Sequence, residues 1–277
     1  MTTSNTFQGQ AIAFIGGGNM ASAIIGGLLR QGLAPGQVEV VEPFAEARAR
    51  LLSQYGVTAQ ELAGPTLARA GLVVWAVKPQ TFRDAAQQAR GHTQGALHLS
   101  VAAGIRSDSI AAWLGTDRIV RSMPNTPALV GKGMTALFAR PGVTAADRDL
   151  VEQVIATTGE SLWVEQESQL DAVTALSGSG PAYVFFFLEA MTQAGVEMGL
   201  PAQQAHRLAV GTFVGASELA RASGDPPEVL RQRVTSKGGT TYAAISSMEQ
   251  DRMQALFVKA LHAACTRAKE LGDEFGA

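Results

Sequence analysis

The sequence predicts an α/β domain built on a parallel sheet, followed by an all-helical domain. Short apolar segments, typical of buried strands, alternate with helical segments through the first part of the chain, as in repeated β-α-β units. After about Glu167 almost no strand-like segment remains, and the apolar residues recur with helical spacing. We therefore place the two domains at residues 1–167 and 168–277.

Each predicted strand is a short apolar run that ends close to a glycine, a proline or an asparagine. In chain order these runs are AIAFIG at 11–16, VEVVEP at 38–43, AGLVVWAVKP at 70–79, ALHLSVAAG at 96–104 and RIVRSMPN at 118–125. GMTALFA at 133–139 and ESLWVEQ at 160–166 are expected to add strands at the far edge of the sheet. The helices of the second domain are expected at 171–199, 201–223, 226–234 and 240–272.

Composition narrows the functional class. With 46% hydrophobic and 17% charged residues, the chain has the balance of a globular protein with a sizeable core. A net charge of −2 gives no electrostatic reason to expect a nucleic acid or an anionic membrane as a partner. Cys265 is the single cysteine, which excludes an internal disulfide and a cysteine-rich metal site, and we expect no metal. The absence of a secretory pattern and of a long apolar run predicts a cytoplasmic location.

A glycine motif follows the first predicted strand. Gly16, Gly18 and Ala21 have the G-x-G-x-x-A spacing, and the segment opens a predicted helix. In that context the motif indicates a Rossmann-type dinucleotide site, in which the backbone approaches the pyrophosphate at a helix N-terminus. The alternative is a glycine-rich turn that binds nothing.

Glu42 stands at the end of the second predicted strand. An acidic residue there hydrogen-bonds the ribose hydroxyls of NAD and repels the 2′-phosphate of NADP. We therefore expect appreciable use of NADH, unless Glu42 is only an exposed charge at a strand end. Lys78, which ends another strand at the same edge of the sheet, is expected to face the cofactor.

The segment SKGGTT, at 236–241, precedes the last long helical stretch. Its glycines free backbone N–H groups for close approach to a ligand, and the start of a helix adds unpaired donors and partial positive charge. The segment could therefore hold a small anion such as a carboxylate. The alternative is an ordinary helix start, with Thr240 or Thr241 as the N-cap.

Six motifs in order give the chain a family resemblance. They are FIGGGNMASAIIGGL, AVKPQ, SVAAGI, RSMPNTPALVGKGMTAL, LSGSGPAYVFFFLEAM and VTSKGGTTYAAI, and they extend over nearly the whole chain. Together they resemble the pyrroline-5-carboxylate reductase family. The resemblance implies hydride transfer from NADPH or NADH to 1-pyrroline-5-carboxylate, which forms L-proline. It also implies that the helical domain forms a homodimer or a higher homo-oligomer.

The resemblance also assigns site residues. The substrate carboxylate is expected on backbone N–H groups of Gly238, Gly239, Thr240 and Thr241, and the hydroxyl of Thr241 is expected on the ring nitrogen, which makes it the catalytic residue. The residues expected to bind the cofactor are Ile15, Gly16, Gly17, Gly18, Asn19, Met20, Glu42, Val77, Lys78, Pro79 and Ala103.

Two other functions remain open from the sequence. One is a different imine or hydroxyacid reductase with the same two domains. The hydroxyacid enzymes of this build carry a lysine and an asparagine one helical turn apart in the second domain, and no such pair follows SGSGP. The other is a sensor that binds NADP without turnover, for which SKGGTT would have no purpose. The four histidines (His92, His98, His206 and His262) are interpreted as surface or packing residues.

Overall fold

The computed structural model of the chain describes residues 11–276, which contain one sheet of eight strands. In chain order the strands are β1 (Ala11–Ile15), β2 (Val38–Val41), β3 (Ala59–Gln60), β4 (Ala70–Trp75), β5 (Leu97–Ser100), β6 (Ile119–Met123), β7 (Gly133–Ala139) and β8 (Gly159–Trp163). In space they follow the order β3-β2-β1-β4-β5-β6-β7-β8. The first six strands thus have the doubly wound order of dinucleotide-binding sheets.

Eleven α-helices lie in the same described part of the chain. Those that precede or follow the strands are α1 (Asn19–Arg30), α2 (Ala45–Tyr55), α3 (Pro79–Ala89), α4 (Ser107–Leu114), α5 (Ala145–Ala156) and α6 (Gln169–Val173). A π turn at Thr174–Gly178 follows α6. The remaining helices are α7 (Gly180–Glu197), α8 (Ala202–Ala222), α9 (Pro227–Arg233), α10 (Thr240–Gln250) and α11 (Met253–Phe275).

The sheet is parallel except at one pair of strands. β6 and β7 run antiparallel, which the prediction of a parallel sheet did not include. A parallel return needs a long crossover, usually through a helix, but residues 124–132 between these strands contain only a short 3₁₀ segment at Thr126–Val130. The two strands predicted at the far edge are confirmed as β7 and β8. β3 was not predicted, because two residues carry no period.

β1 is an interior strand of the sheet, between β2 and β4, and is buried on both faces. Ile12 and Phe14 belong to one apolar cluster, with α1 and α5, while Ala13 and Ile15 belong to another, with α3 and α4. Successive strand residues point to opposite faces, so a strand covered on both sides must be apolar throughout. This is why the run AIAFI could be recognised from the sequence.

The described residues divide into two compact units. Residues up to Ser179, together with those from Ala264 onward, form the first, and Gly180–Ala263 form the second, whose regular secondary structure is all helical. The predicted boundary between residues 167 and 168 falls just before α6, within the first unit, and a functional division there stays a prediction. Within residues 11–276, no helix combines the length and apolar character needed to cross a membrane.

His98 is a buried member of the sheet. It lies on β5 with 2% of its surface exposed, and its Nδ1 accepts a 3.0 Å hydrogen bond from the indole Nε1 of Trp75. Burial, followed by the positive charge of Arg118, lowers the pKa of His98 from 6.5 to about 4. Of the two predicted roles, surface residue or packing residue, the structure supports packing. His98 is neutral, and its Nδ1 carries no proton, because it accepts the bond from Trp75.

The folded protein should lose stability in mild acid because of His98. The unfolded chain takes up a proton below pH 6.5, whereas the folded chain resists it until about pH 4. The free energy of unfolding should therefore decrease as the pH falls from 6.5 to 4, with a loss of about 2 to 3 kcal/mol between about pH 7.5 and pH 4.5. Urea unfolding at both pH values, at one protein concentration, measures this loss.

His98→Gln keeps an acceptor for Trp75 but cannot titrate, so this part of the pH dependence should disappear. His206→Gln, at an exposed position on α8, is the matched control and should retain the wild-type dependence. Equal acid sensitivity in His98→Gln and the wild type would show that another group is responsible.

Candidate active site

Gly16 makes the turn that follows β1. Its φ is +99°, a region that favours glycine, and a Cβ at this position would lie 2.5 Å from the carbonyl oxygen of Ala76. Its N–H donates to the carbonyl of Val41 at 2.8 Å. The turn therefore lies between the ends of β2 and β4, where only glycine can follow Ile15.

Glu42 holds the second glycine of this turn. The N–H of Gly17 donates to Glu42 Oε2 at 2.7 Å, and the N–H of Phe44 donates to Oε1 at 2.9 Å. Glu42 is 5% exposed, and a Cβ on Gly17 would lie 2.7 Å from the side chain of Leu51. The carboxylate of Glu42, which we predicted to bind the cofactor ribose, thus accepts hydrogen bonds from two backbone N–H groups.

The N-terminus of α1 is open. Gly18 is its N-cap, with extended backbone and no side-chain capping bond, and nothing lies within 4 Å of where a Cβ on Gly18 would stand. Asn19 and Met20 are the first two residues of the helix. The unpaired N–H groups and the partial positive charge of a helix start suit a phosphate, and the missing Cβ leaves room for one.

Two arginines of α2 lie beside the same turn. Arg48 Nη1 donates to the carbonyls of Glu42 (2.9 Å) and Pro43 (2.7 Å), and Arg50 Nη2 donates to the carbonyl of Gly17 at 3.3 Å. These acceptors are backbone carbonyls, and Arg48 Nη2 also forms a 3.2 Å ion pair with Glu61. Arg50, which contacts the turn at Gly17, would favour a phosphate bound there.

The other predicted cofactor residues leave the sheet at the same edge. Ile15 pairs with Trp75, and Trp75 pairs with Ser100, so β1, β4 and β5 end at one level. After β4, Val77 lies beside Gly16, Lys78 is the N-cap of α3, and Pro79 is the first residue of that helix. Ala103 lies between β5 and α4. The sheet thus gathers the four predicted cofactor segments, as ligand sites at carboxyl strand ends require.

The segment predicted to bind the substrate lies in the second unit. Gly238 has φ +76°, and the N–H of Gly239 donates to the carbonyl of Ser236 at 3.0 Å. Gly239, not a threonine, is the N-cap of α10, and no side chain makes a capping bond there. Thr240 and Thr241 are the first two residues of the helix and are exposed. The alternative of a threonine N-cap is therefore wrong, and the helix start has open donors.

Known proteins match the chain over nearly all of its length. The family model described as pyrroline-5-carboxylate reductase dimerisation matches residues 167–271, and the model described as NADP oxidoreductase coenzyme F420-dependent matches residues 11–104. A pyrroline-5-carboxylate reductase from Pseudomonas aeruginosa is 44% identical, over 96% of this chain and 98% of its own.

The chain belongs to the pyrroline-5-carboxylate reductase family. It is accordingly an NAD(P)H-dependent oxidoreductase, with a Rossmann-like first domain and a helical dimerisation domain.

Solved reductases of this family share the fold. The pyrroline-5-carboxylate reductase of Coxiella burnetii superposes with a TM-score of 0.88 at 37% identity, covering 95% of this chain and 99% of the other. The pyrroline carboxylate reductase of Plasmodium falciparum, solved with NADP bound, gives a TM-score of 0.85 at 27% identity, covering 95% and 98%.

Two motifs of the reductase contact each other. From MPNTP, Asn125 Nδ2 donates to the carbonyl (3.3 Å) and hydroxyl (3.1 Å) of Ser177 in SGSGP, while its Oδ1 accepts from the N–H of Met134. Ser179 has helical backbone angles and its N–H donates to the carbonyl of Thr174 across the π turn. The π turn thus presents Ser177 to Asn125.

A second connection of the reductase was not predicted. Arg121 on β6 forms a 2.5 Å ion pair with Glu167, whose oxygens also accept from the N–H and hydroxyl of Ser107 at 2.6 Å each. An arginine inside the otherwise apolar run RIVRSM was the available signal, because a buried charge needs a partner. The partner itself, far along the chain, carried no signal in the sequence.

Gly18→Ala should weaken cofactor binding without destabilising the fold. The backbone at Gly18 (φ −73°) suits alanine, and the methyl would enter open space. It would stand where the pyrophosphate is expected at the start of α1. We expect the KM for NADPH and NADH to rise roughly tenfold, equivalent to about 1.4 kcal/mol of binding free energy, with an unchanged melting temperature.

Gly91→Ala is the matched control, since nothing lies within 4 Å of a Cβ there and it precedes β5 at the opposite edge of the sheet. Steady-state kinetics and thermal unfolding of both variants make the comparison. An unchanged cofactor KM in Gly18→Ala would place the pyrophosphate elsewhere.

Proposed function

We propose that the chain reduces 1-pyrroline-5-carboxylate to L-proline, with the substrate carboxylate bound at the start of α10. The observation that carries this proposal is the uncapped N-terminus of α10, which follows Gly238 and Gly239. Family membership supplies the reaction, since relatives such as the Pseudomonas aeruginosa protein are named for it. The helix start supplies a site of the right charge for the substrate.

Each part of the substrate has a proposed partner. The first-turn N–H groups of α10 point along the helix axis and bind the carboxylate. The hydroxyl of Thr241, the second residue of α10, bonds the ring nitrogen and orients the carbon–nitrogen double bond. Thr240 offers its backbone N–H, so its side chain is not needed for the reaction.

The residues at the first site fit a dinucleotide. The space left at Gly18, the open start of α1 and the gathered strand ends suit a pyrophosphate and its flanking sugars. We assign the cofactor to Ile15, Gly16, Gly17, Gly18, Asn19, Met20, Glu42, Val77, Lys78, Pro79 and Ala103. When bound, NADPH or NADH supplies the hydride. The chain itself contributes binding, orientation and charge.

We also propose that the chain acts as a homodimer through its helical domain at 168–277. Exposed apolar side chains support this, among them Phe185 (58% exposed) and Phe186 (66% exposed) on α7. The matching family model is named for dimerisation. A second copy would remove this surface from water. The cytoplasmic location stays a prediction from sequence.

Proline formation tests the proposed function. Purified protein with 1-pyrroline-5-carboxylate and NADPH or NADH should oxidise the cofactor and form L-proline in equal amounts, as measured by absorbance and chromatography. A protein that binds cofactor but forms no proline with either one would contradict it and favour a non-catalytic sensor.

Thr241→Ala should lower kcat/KM roughly tenfold to a hundredfold, which corresponds to about 1–3 kcal/mol for a hydrogen bond whose loss leaves a partner unpaired. Cofactor affinity should stay unchanged, because the glycine turn lies on a different element. The melting temperature should also stay close to that of the wild type, because no side chain caps α10.

Thr240→Ala is the matched control for Thr241→Ala. It changes the neighbouring exposed threonine and keeps both backbone donors, so its kcat/KM should remain near the wild-type value. If Thr241→Ala turns over normally, or if both variants lose activity alike, the assignment of the hydroxyl to the ring nitrogen is wrong.

Glu42→Gln should change cofactor preference. The neutral side chain no longer repels a 2′-phosphate, so the NADPH/NADH ratio of kcat/KM should rise roughly fivefold, equivalent to about 1 kcal/mol. Affinity for both cofactors should also fall, because one of the two backbone N–H groups held by Glu42 loses its acceptor.

Glu46→Gln provides the control, since it removes an exposed carboxylate from the first turn of α2. Its cofactor ratio should match the wild type. A Glu42→Gln enzyme with the wild-type ratio would mean that the carboxylate acts only on the glycine turn and does not select the cofactor.

A further inference from the structure

A polar cavity of about 310 Å³ lies in the first unit, apart from the glycine turn. Its walls include Gly104, Arg106, Arg121, Glu167, Asp171 and Gly272. They come from the β5–α4 connection, from β6, from α6 and the residues before it, and from the last turns of α11. The volume is at the lower end of the range for small-molecule sites, roughly 300–1,000 Å³.

The guanidinium of Arg121 is incompletely satisfied. Arg121 is 7% exposed, and its Nη1 pairs with Glu167. Its Nε is buried and has no hydrogen-bond partner among the described residues. Glu167 does not accept from this Nε: its Oε1 accepts from Arg121 Nη1 and the N–H of Ser107, and its Oε2 accepts from the hydroxyl of Ser107. A buried donor without a partner costs free energy, so this wall favours an additional acceptor.

Asp171 lines the same cavity and, unlike Arg121, offers acceptor oxygens. Burial raises the pKa of its carboxyl, and the negative charge of Glu167 acts in the same direction, although the positive charges of Arg121, Arg106 and Lys269 lower it. Both arginines also pair with other carboxylates, Arg121 with Glu167 and Arg106 with Asp273. A positively charged donor in the cavity would therefore stabilise the ionised form of Asp171.

The cavity thus has a buried donor without an acceptor, Arg121 Nε, and a carboxylate, Asp171, whose ionised form burial disfavours. A simple anion would meet the carboxylates of Glu167 and Asp171, and a simple cation would meet two guanidinium groups. A zwitterion satisfies both. Two glycines, Gly104 and Gly272, leave the walls without side chains at the positions where α11 meets the β5–α4 connection.

We propose that this cavity binds a small free α-amino acid, with its carboxylate against Arg106 and Arg121 and its ammonium group against Asp171. L-Proline is the first ligand to test, a choice that rests on the reaction proposed above. The site is distinct from the start of α10, so the chain would bind a product-like molecule at two places. Gly104, a wall residue of the cavity, directly follows Ala103, which we assigned to the cofactor site. The cavity and the proposed cofactor site therefore share one loop.

Ligand-observed NMR titration of L-proline into the wild-type protein tests the site. Two binding processes per chain are expected, one at the active site and one in the cavity. Asp171→Asn should weaken the second at least tenfold and leave turnover without added proline unchanged. Thr241→Ala should weaken only the first. Asp149→Asn, an exposed neutral-for-charged change on α5, should retain both.

Further probes separate a zwitterion site from a general ion site. Acetate and methylammonium, which carry one charge each, should bind the cavity at least tenfold more weakly than L-proline. Arg106→Gln, at an exposed position that does not threaten the core, should weaken proline binding in parallel with Asp171→Asn. Acetate binding as tightly as L-proline, or a single binding process that Asp171→Asn leaves unchanged, overturns the proposal. Proline formation by the wild type, measured separately, reports on the reaction alone.

Discussion

The carboxylate of Glu42 organises the cofactor side of the molecule. It accepts one hydrogen bond from the turn after β1 and one from the first residues before α2, so a single buried side chain holds two chain segments together. The turn after β1 also depends on Gly16, whose missing Cβ lets the backbone approach the carbonyl of Ala76. With these contacts in place, α1 begins at a defined position, and its open N-terminus faces the space left by Gly18.

This arrangement places opposing charges at one edge of the sheet. The carboxylate of Glu42 would repel a 2′-phosphate, whereas Arg50, bonded to the carbonyl of Gly17, would attract one; Arg48 pairs with Glu61. Because Glu42 also holds the backbone, its charge and its structural role cannot be changed independently by one substitution. We therefore expect the effect of Glu42 on cofactor preference to depend on its neighbours as well as on its own charge.

β6 carries the connections between the sheet and the segment that leads into α7. Arg121 near the middle of the strand pairs with Glu167, and Asn125 beyond its end bonds Ser177 in the π turn. The segment from Glu167 to Ser177 is therefore bonded at one end to β6 and at the other end to the loop that follows β6. The motifs MPNTP and SGSGP, distant in sequence, thus meet through Asn125 and Ser177, which accounts for a polar amide and a small hydroxyl at these positions.

The sequence by itself determined the elements whose signals are local. Apolar runs marked the strands that are buried on both faces, the G-x-G-x-x-A spacing marked the turn at Gly16, and the glycines of SKGGTT marked the start of α10. Only the tertiary structure decided the antiparallel direction of β7, the bonding of Glu42 to Gly17, the pairing of Asn125 with Ser177, and the ion pair of Arg121 with Glu167. Each of these joins residues that are separated along the chain or depends on how a strand returns to the sheet. Hydrophobic period and turn chemistry describe only neighbours in sequence, whereas hydrogen bonds and ion pairs form between whichever groups the fold brings within reach.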